Sequence, residues 1–465
     1  MIKLKLNSFL RLSLLFIAFS IVYGNSSGQV IPGWKHTLKN SLNSINKARS
    51  IEIDKGKNCF VLGTTSIPDS AKDILLFKFN PQGVEEWRRI YDNPDHGDDI
   101  PVAMCLDVEG NILITGMSKD KTGNTDILIL KYTTEGVPVI DLHFDGPAHG
   151  FDTPVAITTD LRENVLVTGA ETSLDSGLNM VVYCIRPDGS FSWKRNYSTL
   201  MMDIGNAVVT DDSCNVYIVG NCNTAPHSSD ILVQKIDSAG NQKWTTIYNG
   251  VFSENDAGSF LCMDDSSHLF ISGFANHTSD RSDVPLLKYN RNGEVLREKF
   301  YNGGISDCYA TNLNISKDGA YMTIFRTDYS TGTSGSMVLH FDQAGVQTQK
   351  IESPVDVVFQ NFIEMQHNKL ILGSKLTHPE STLMPYIAIP DTGSKIRFEY
   401  ADSTVYGMAH LISTKVLGNV IYFLGDDAGD ATGSIEVMTY SFNHDIDKLK
   451  KKSPVNKSKS GVHKN

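Results

Sequence analysis

Helical spacing is missing from the whole chain: nowhere do apolar residues recur at the 3.6-residue period of an amphipathic helix. That excludes the helical and alternating α/β classes. No G-x-S-x-G elbow occurs, and no glycine-rich loop stands between a strand and a helix, so the α/β-hydrolase and phosphate-loop chemistries are excluded. The seven cysteines are odd in number and include no CxxC pair, which argues against a disulfide framework or a thiolate metal site. Cys105 and Cys262 fall where other units carry Thr or Val and read as small apolar residues, and Cys59, Cys184 and Cys214 lie in or beside strands. Cys214 and Cys222 flank one strand and stand too far apart to bridge.

Positive charge is also scarce where it would matter. Three basic residues sit in the first 28 positions and seven lysines in Lys448–Asn465; without them, 32 basic residues face 53 acidic ones. So acidic a body disfavours nucleic acid or an anionic surface as its partner. Residues Met1–Gly28 read as a cleaved secretory signal, with Lys3, Lys5 and Arg11 ahead of an apolar core from Leu12 to Tyr23 that is short for a membrane span, so the mature chain should carry no transmembrane segment. Cleavage is expected after Gly24 or Gly28. The lysine-rich tail, 446–465, lacks aromatics and reads as disordered, and a passive tail is preferred to an anionic-surface contact.

What the chain does have is a repeat. Asn58–Gly63, Asn111–Gly116, Asn164–Gly169, Asn215–Gly220, His268–Gly273, Asn368–Gly373 and Asn419–Gly425 are copies of one apolar run, with a worn copy, Ala320–Phe325, closing on Phe325. Their ends are spaced by 48 to 53 residues, giving eight units. An apolar segment usually closed by Asp, such as Val102–Asp107, precedes the run, and an alternating segment such as Asp126–Tyr132 follows it. A turn glycine comes next, at Gly83, Gly136, Gly189, Gly240, Gly293, Gly345 and Gly393. Trp87, Trp193 and Trp244 stand four residues past a turn glycine, and Trp34 lies 53 residues before Trp87 in the same register.

Each unit therefore holds four short strands rich in β-branched and aromatic residues, the content of a β-propeller blade. The chain opens on a lone fourth strand around Trp34, and the eighth unit stops after its third, Ile435–Phe442. The expected fold is all-β: an eight-bladed β-propeller of four-stranded antiparallel blades spanning 29–445 as one domain, with the N-terminal strand completing the last blade. A monomer is expected.

The pattern Asp99-(x)7-Asp107-x-x-Gly110-Asn111-x-x-x-Thr115-Gly116, followed by Asp126–Tyr132 and Gly136, resembles the secreted bacterial β-propeller repeat. The resemblance implies an exported chain of cell-surface or adhesive character. A turn glycine with Trp four residues later also resembles the docking motif of quinoprotein-type eight-bladed propellers, but the adjacent cysteines those enzymes place over their cofactor are missing. Sialidase-type Asp boxes are missing too, since Gly189 follows Asp188 directly.

Among polar positions, an Asp just before the first strand recurs at Asp99, Asp152, Asp203, Asp256, Asp307 and Asp356. These carboxylates are expected near one mouth of the central channel, where they could form an anionic ring for a cation or basic ligand. The preferred reading is that each accepts hydrogen bonds from loop amides. Units two and three add His96 and His149, so that His96, Asp99, His149 and Asp152 could ligate a divalent cation such as Zn²⁺, although ordinary turn residues are the simpler account. No other cofactor is expected. The Trp positions invite carbohydrate stacking but suit packing between blades better. Paired catalytic carboxylates cannot be singled out from so many repeat-bound acids. The sequence thus favours a non-enzymatic scaffold that binds protein or glycan in the periplasm, at the cell surface or outside the cell. The alternative is a hydrolase or lyase with its site over the channel. Units six to eight diverge most and are where a specialised surface is expected.

Overall fold

The computed structural model describes residues 30–442 apart from 40, 42–43, 176, 200, 226–227, 251–253, 279–280, 305, 329, 366–367, 377–382, 391–394, 402–407 and 428–432. The expected signal segment Met1–Gly28, the lysine-rich residues 446–465 and Gly393 lie outside the described residues. No helix among these residues is long and apolar enough to cross a membrane.

Among the described residues, thirty-two strands form eight four-stranded antiparallel blades, seven of them consecutive meanders. The first strands, running from Ile45–Ile53 to Met408–Leu417, contact one another in a closed circle and line the central channel. In the last blade the outermost strand is Val30–Leu38, paired antiparallel with Ile435–Phe442 from Val30–Phe442 to Leu38–Ile435. The ring is therefore closed by its two chain ends. One additional backbone pair, Leu383–Met408, joins blades seven and eight.

Apolar side chains pack between blades. Phe60, Leu62 and Leu76 of blade one meet Ile112, Ile114 and Leu128 of blade two, and Tyr422, Leu424 and Val437 of blade eight meet Val61 and Phe77 of blade one. Each fully buried side chain of this kind contributes roughly 1.5–3 kcal/mol, and the closing interface is as well filled as the internal ones.

Two recurring signatures now have physical causes. Every first strand carries a β-bulge at the same place, with Arg49, Val102, Val155, Asn206, Ser259, Thr311, Gln360 and Ile412 as the extra residues. A bulge bends its strand and re-aims the neighbouring groups. Here it drives the carbonyl two positions earlier against the second strand, at the repeat glycine. A Cβ on Gly116, Gly169, Gly220 or Gly273 would lie 2.6, 2.1, 1.9 or 1.9 Å from that oxygen. Only glycine fits. In blade six an extra residue separates Asp307 from the bulge, and the register sets Ile324 opposite the residue before it. Phe325, which the sequence pattern aligned with the repeat glycine, pairs instead with Tyr309, one position further from the bulge.

The turn glycines and tryptophans explain each other. Gly83, Gly136, Gly240 and Gly293 all have positive φ, and each supports the Trp ring of the preceding blade: Trp34, Trp87, Trp193 and Trp244 respectively. Each indole N–H donates to a carbonyl two residues before that glycine, at Pro81, Thr134, Ser238 and Arg291, over 3.1–3.3 Å. The tryptophans are blade-to-blade clasps, and Trp34 makes the same clasp across the closure.

Candidate functional site

The six recurrent aspartates sit at or beside the start of the first strands. Asp99, Asp152, Asp203 and Asp256 are fully buried, with their carboxylates turned into the loops between blades. Asp99 accepts from the Asn93 N–H (2.7 Å) and side chain (2.9 Å), Asp152 from Gly146 N (2.5 Å) and Thr172 N (2.7 Å), and Asp203 from Thr199 N and Oγ1 (both 2.7 Å). Asp256 accepts from Gly250 N and Asn276 N. Asp307 reaches back to Ser282 of the preceding blade, and Asp356 is exposed in a left-handed conformation. Each buried carboxylate thus ties an inter-blade loop to its own blade. Burial raises their proton affinity, pushing Asp256 up to about 6.

His96 and His149 are exposed, left-handed turn residues, and each bonds through Nδ1 to the Asp four positions earlier, Asp92 or Asp145. The structure does not gather His96, Asp99, His149 and Asp152 into one locus. It forms two equivalent ones instead, where oxygens of Asp73, Asp92 and Asp99, and of Asp126, Asp145 and Asp152, come within 4.8 Å of one another. Asp73 is pushed up to about 6 by burial and the charges of Asp92 and Asp99; Asp126 is likewise pushed up to about 6, by burial first and then by the charge of Asp145. A cavity of about 290 Å³ beside the first triad is lined by Thr65, Asp73, Asp92 and His96. Asp73, Asp92, Asp126 and Asp145 were not among the sequence candidates. Their signal is an Asp both opening the third strand and following the fourth, which only the first two units carry together.

The channel offers a second locus. Counting from each bulge, the residue two positions on is buried between blades in all eight, from Ile51 to Thr414. Strand alternation therefore turns the residues one and three positions on toward the channel. In blades two to five these are Ala103, Ala156, Ala207 and Phe260, with Cys105, Thr158, Val209 and Cys262. Blades six to eight present Asn312, Asn361 and Ser413, with Asn314, Ile363 and Lys415, and blade one adds Ser50 and Glu52. The wall is largely apolar on one side and polar on the other. Cys105 and Cys262 belong to it, and burial raises their thiols to about 12 and about 11. All seven cysteines are free.

The polar side encloses a cavity of about 770 Å³ spanning the first strands of blades six, seven and eight. Lys415 Nζ lies 2.6 Å from Glu52, so the wall's cation is paired. A further cavity of about 500 Å³ opens between blades six and seven beside Arg326, Glu352 and Asp356. These are the units in which the repeat is most worn.

The fold recurs among solved structures. The periplasmic gluconolactonase of Pseudomonas aeruginosa aligns over 77% of this chain and 95% of its own, at 11% identity and TM-score 0.45. The propeller domain of the Pyrococcus furiosus Trilobed protease, described with an open velcro topology, aligns over 74% and 93% at 8% identity and TM-score 0.44. The WD40 domain of SCAP from fission yeast aligns over 88% and 98% at 10% identity and TM-score 0.43. Enzymes and WD40 domains both occur among these propellers, and likeness at this level concerns the fold alone. No protein-family model and no curated protein matches the chain in sequence.

Proposed function

We propose that this chain is an exported, non-enzymatic β-propeller that binds protein or glycan at the cell envelope, a member of the secreted bacterial propeller-repeat group. The observation that carries the reading is the change in the channel wall. In blades two to five the wall is mostly apolar, and across the worn blades six to eight it becomes a polar cavity that Ser50 and Glu52 of blade one extend. The recurrent carboxylates that a charged-ligand or acid–base site would draw on are mostly engaged by loop amides. Capture from the native envelope fraction with tagged full-length chain tests the proposal: a specific partner or glycan retained by the chain supports it, and turnover of a captured substrate overturns it.

A hydrolase or lyase working over the channel is the second reading, favoured by polar residues converging in one cleft and by Glu52, whose carboxyl burial holds above its ordinary range beside Lys415. Among the residues lining the cavity, only Lys415 and Tyr309 ionise. Loss of such turnover in Glu52→Gln would favour this reading.

The divalent-cation proposal takes the form of the two triads, with His96 and His149 at their rims. Stoichiometric metal that disappears in the His96→Ala/His149→Ala variant supports it, and protein that stays metal-free in millimolar Ca²⁺ or Zn²⁺ removes it.

A further inference from the structure

We infer that the polar cavity of blades six to eight is a binding site for a neutral saccharide. The inference rests on the scaffold reading and names the ligand class of its channel. At the cavity's rim Tyr309 is 41% exposed, and its ring lies 5.5 Å from the tilted ring of Phe325, its cross-strand partner. The exposed Tyr309 ring, backed by the half-buried Phe325, offers apolar contact to the C–H face of a sugar ring.

Behind it runs a ladder of neutral amides. The Asn314 side-chain NH₂ donates to Asn361 Oδ1 over 3.0 Å and to Asn312 Oδ1 over 2.5 Å, and Asn361 donates to Thr414 Oγ1 over 3.2 Å. Gln360 Nε2 donates to Leu411 O over 3.0 Å. These bonds fix the amide planes across three blades before any ligand arrives. Among the described residues nothing engages the Asn312 side-chain NH₂ or Gln360 Oε1, leaving a donor and an acceptor on the cavity wall. Planar amides with both polarities open are suited to vicinal hydroxyls, which donate and accept together.

Charge decides against the other ligand classes. Among the described residues lining the cavity Lys415 alone carries a full charge, and Glu52 neutralises it at 2.6 Å. An anionic or cationic ligand would have to break that pair or leave its own charge unanswered. At about 770 Å³ the cavity falls within the roughly 300–1,000 Å³ of small-ligand sites.

The test is calorimetric titration of full-length chain with defined neutral oligosaccharides: gluco-, xylo-, galacto- and manno-oligomers and N-acetylglucosamine oligomers. Binding of one class, weakened about tenfold or more in both Tyr309→Ala and Gln360→Ala while their melting temperatures stay at the parent value, is the expected result. Reducing ends released from that sugar would keep the cavity as a saccharide site while overturning the scaffold reading. Binding indifferent to both substitutions overturns the inference. So does a panel in which nothing binds while envelope capture persists, and that outcome leaves the scaffold reading standing.

Discussion

Replacing Gly220 with Ala tests the link between bulge and repeat. The new Cβ would lie 1.9 Å from Ile204 O, 2.9 Å from its carbonyl carbon and 3.0 Å from Gly205 Cα, all backbone atoms that no rotamer change can move. Two strands must separate by more than 1 Å at the most tightly pressed point of the blade. Overpacking costs about 1–3 kcal/mol when side chains can yield. With backbone on both sides, the upper figure, about 3 kcal/mol, applies. A unit of roughly 400 ordered residues unfolds with an entropy near 0.9 kcal/mol per kelvin, so the melting temperature should fall by about 3–4 °C. Gly335→Ala is the control: its nearest atom is Ser353 Oγ at 3.9 Å and its φ is ordinary, so this alanine should be neutral or add about 0.4–1 kcal/mol. Thermal and urea melts of both variants check the argument. Gly220→Ala melting within a degree of the parent, or Gly335→Ala losing as much, would refute it.

Removing the leading strand, Val30–Leu38, should lower the melting temperature by well over 10 °C in differential scanning calorimetry, because it strips blade eight of its outer strand and the Trp34 clasp; an unchanged melt would mean that the ring does not depend on closure. Trp87→Ala should cost about 3 kcal/mol, at the low end of the range for large aromatics because the ring is only partly buried. A substitution without effect on urea unfolding would make the clasp energetically idle. Asp73 and Asp126 bind their protons more tightly folded, at about 6, than the ordinary 3.8. Their stabilising contribution is complete below about pH 4 and lost as pH rises through about 6, so the chain should gain stability between pH 7.5 and pH 5. Discounted for solvent screening, this is on the order of 1 kcal/mol per carboxylate. Melts of Asp73→Asn/Asp126→Asn should lose that pH dependence, and a double variant as pH-sensitive as the parent contradicts the assignment.

The blade count and the closure were legible because backbone contact forces glycine at one point in most blades, and tryptophan recurs at one point in four of them, Trp34 included. Wherever Gly116 or Trp87 is needed, sequence spacing reports geometry directly. The signal failed at blade six, where the register puts Ile324 rather than a glycine opposite the residue before the bulge. Spacing alone then aligned Phe325 where Ile324 belongs. The carboxylate triads were half legible: Asp99 and Asp152 follow the repeat, but Asp73 reaches Asp99 from the third strand of the neighbouring blade and Asp92 from the loop after its fourth. The polar face of the channel was hidden for a related reason. Asn312 and Asn361 look like any strand amides until the bulge fixes which way alternate residues turn.

The pairing of Val30–Leu38 with Ile435–Phe442 has a consequence for biosynthesis, since Trp34 N meets Thr439 Oγ1 across 405 positions of sequence. The first strand made must wait for nearly the last. At about 5–20 residues per second, that interval is roughly 20–80 s, during which the nascent chain carries two unsatisfied edges open to any passing strand. Whatever shields them in that interval determines how much of the newly made chain reaches the closed ring.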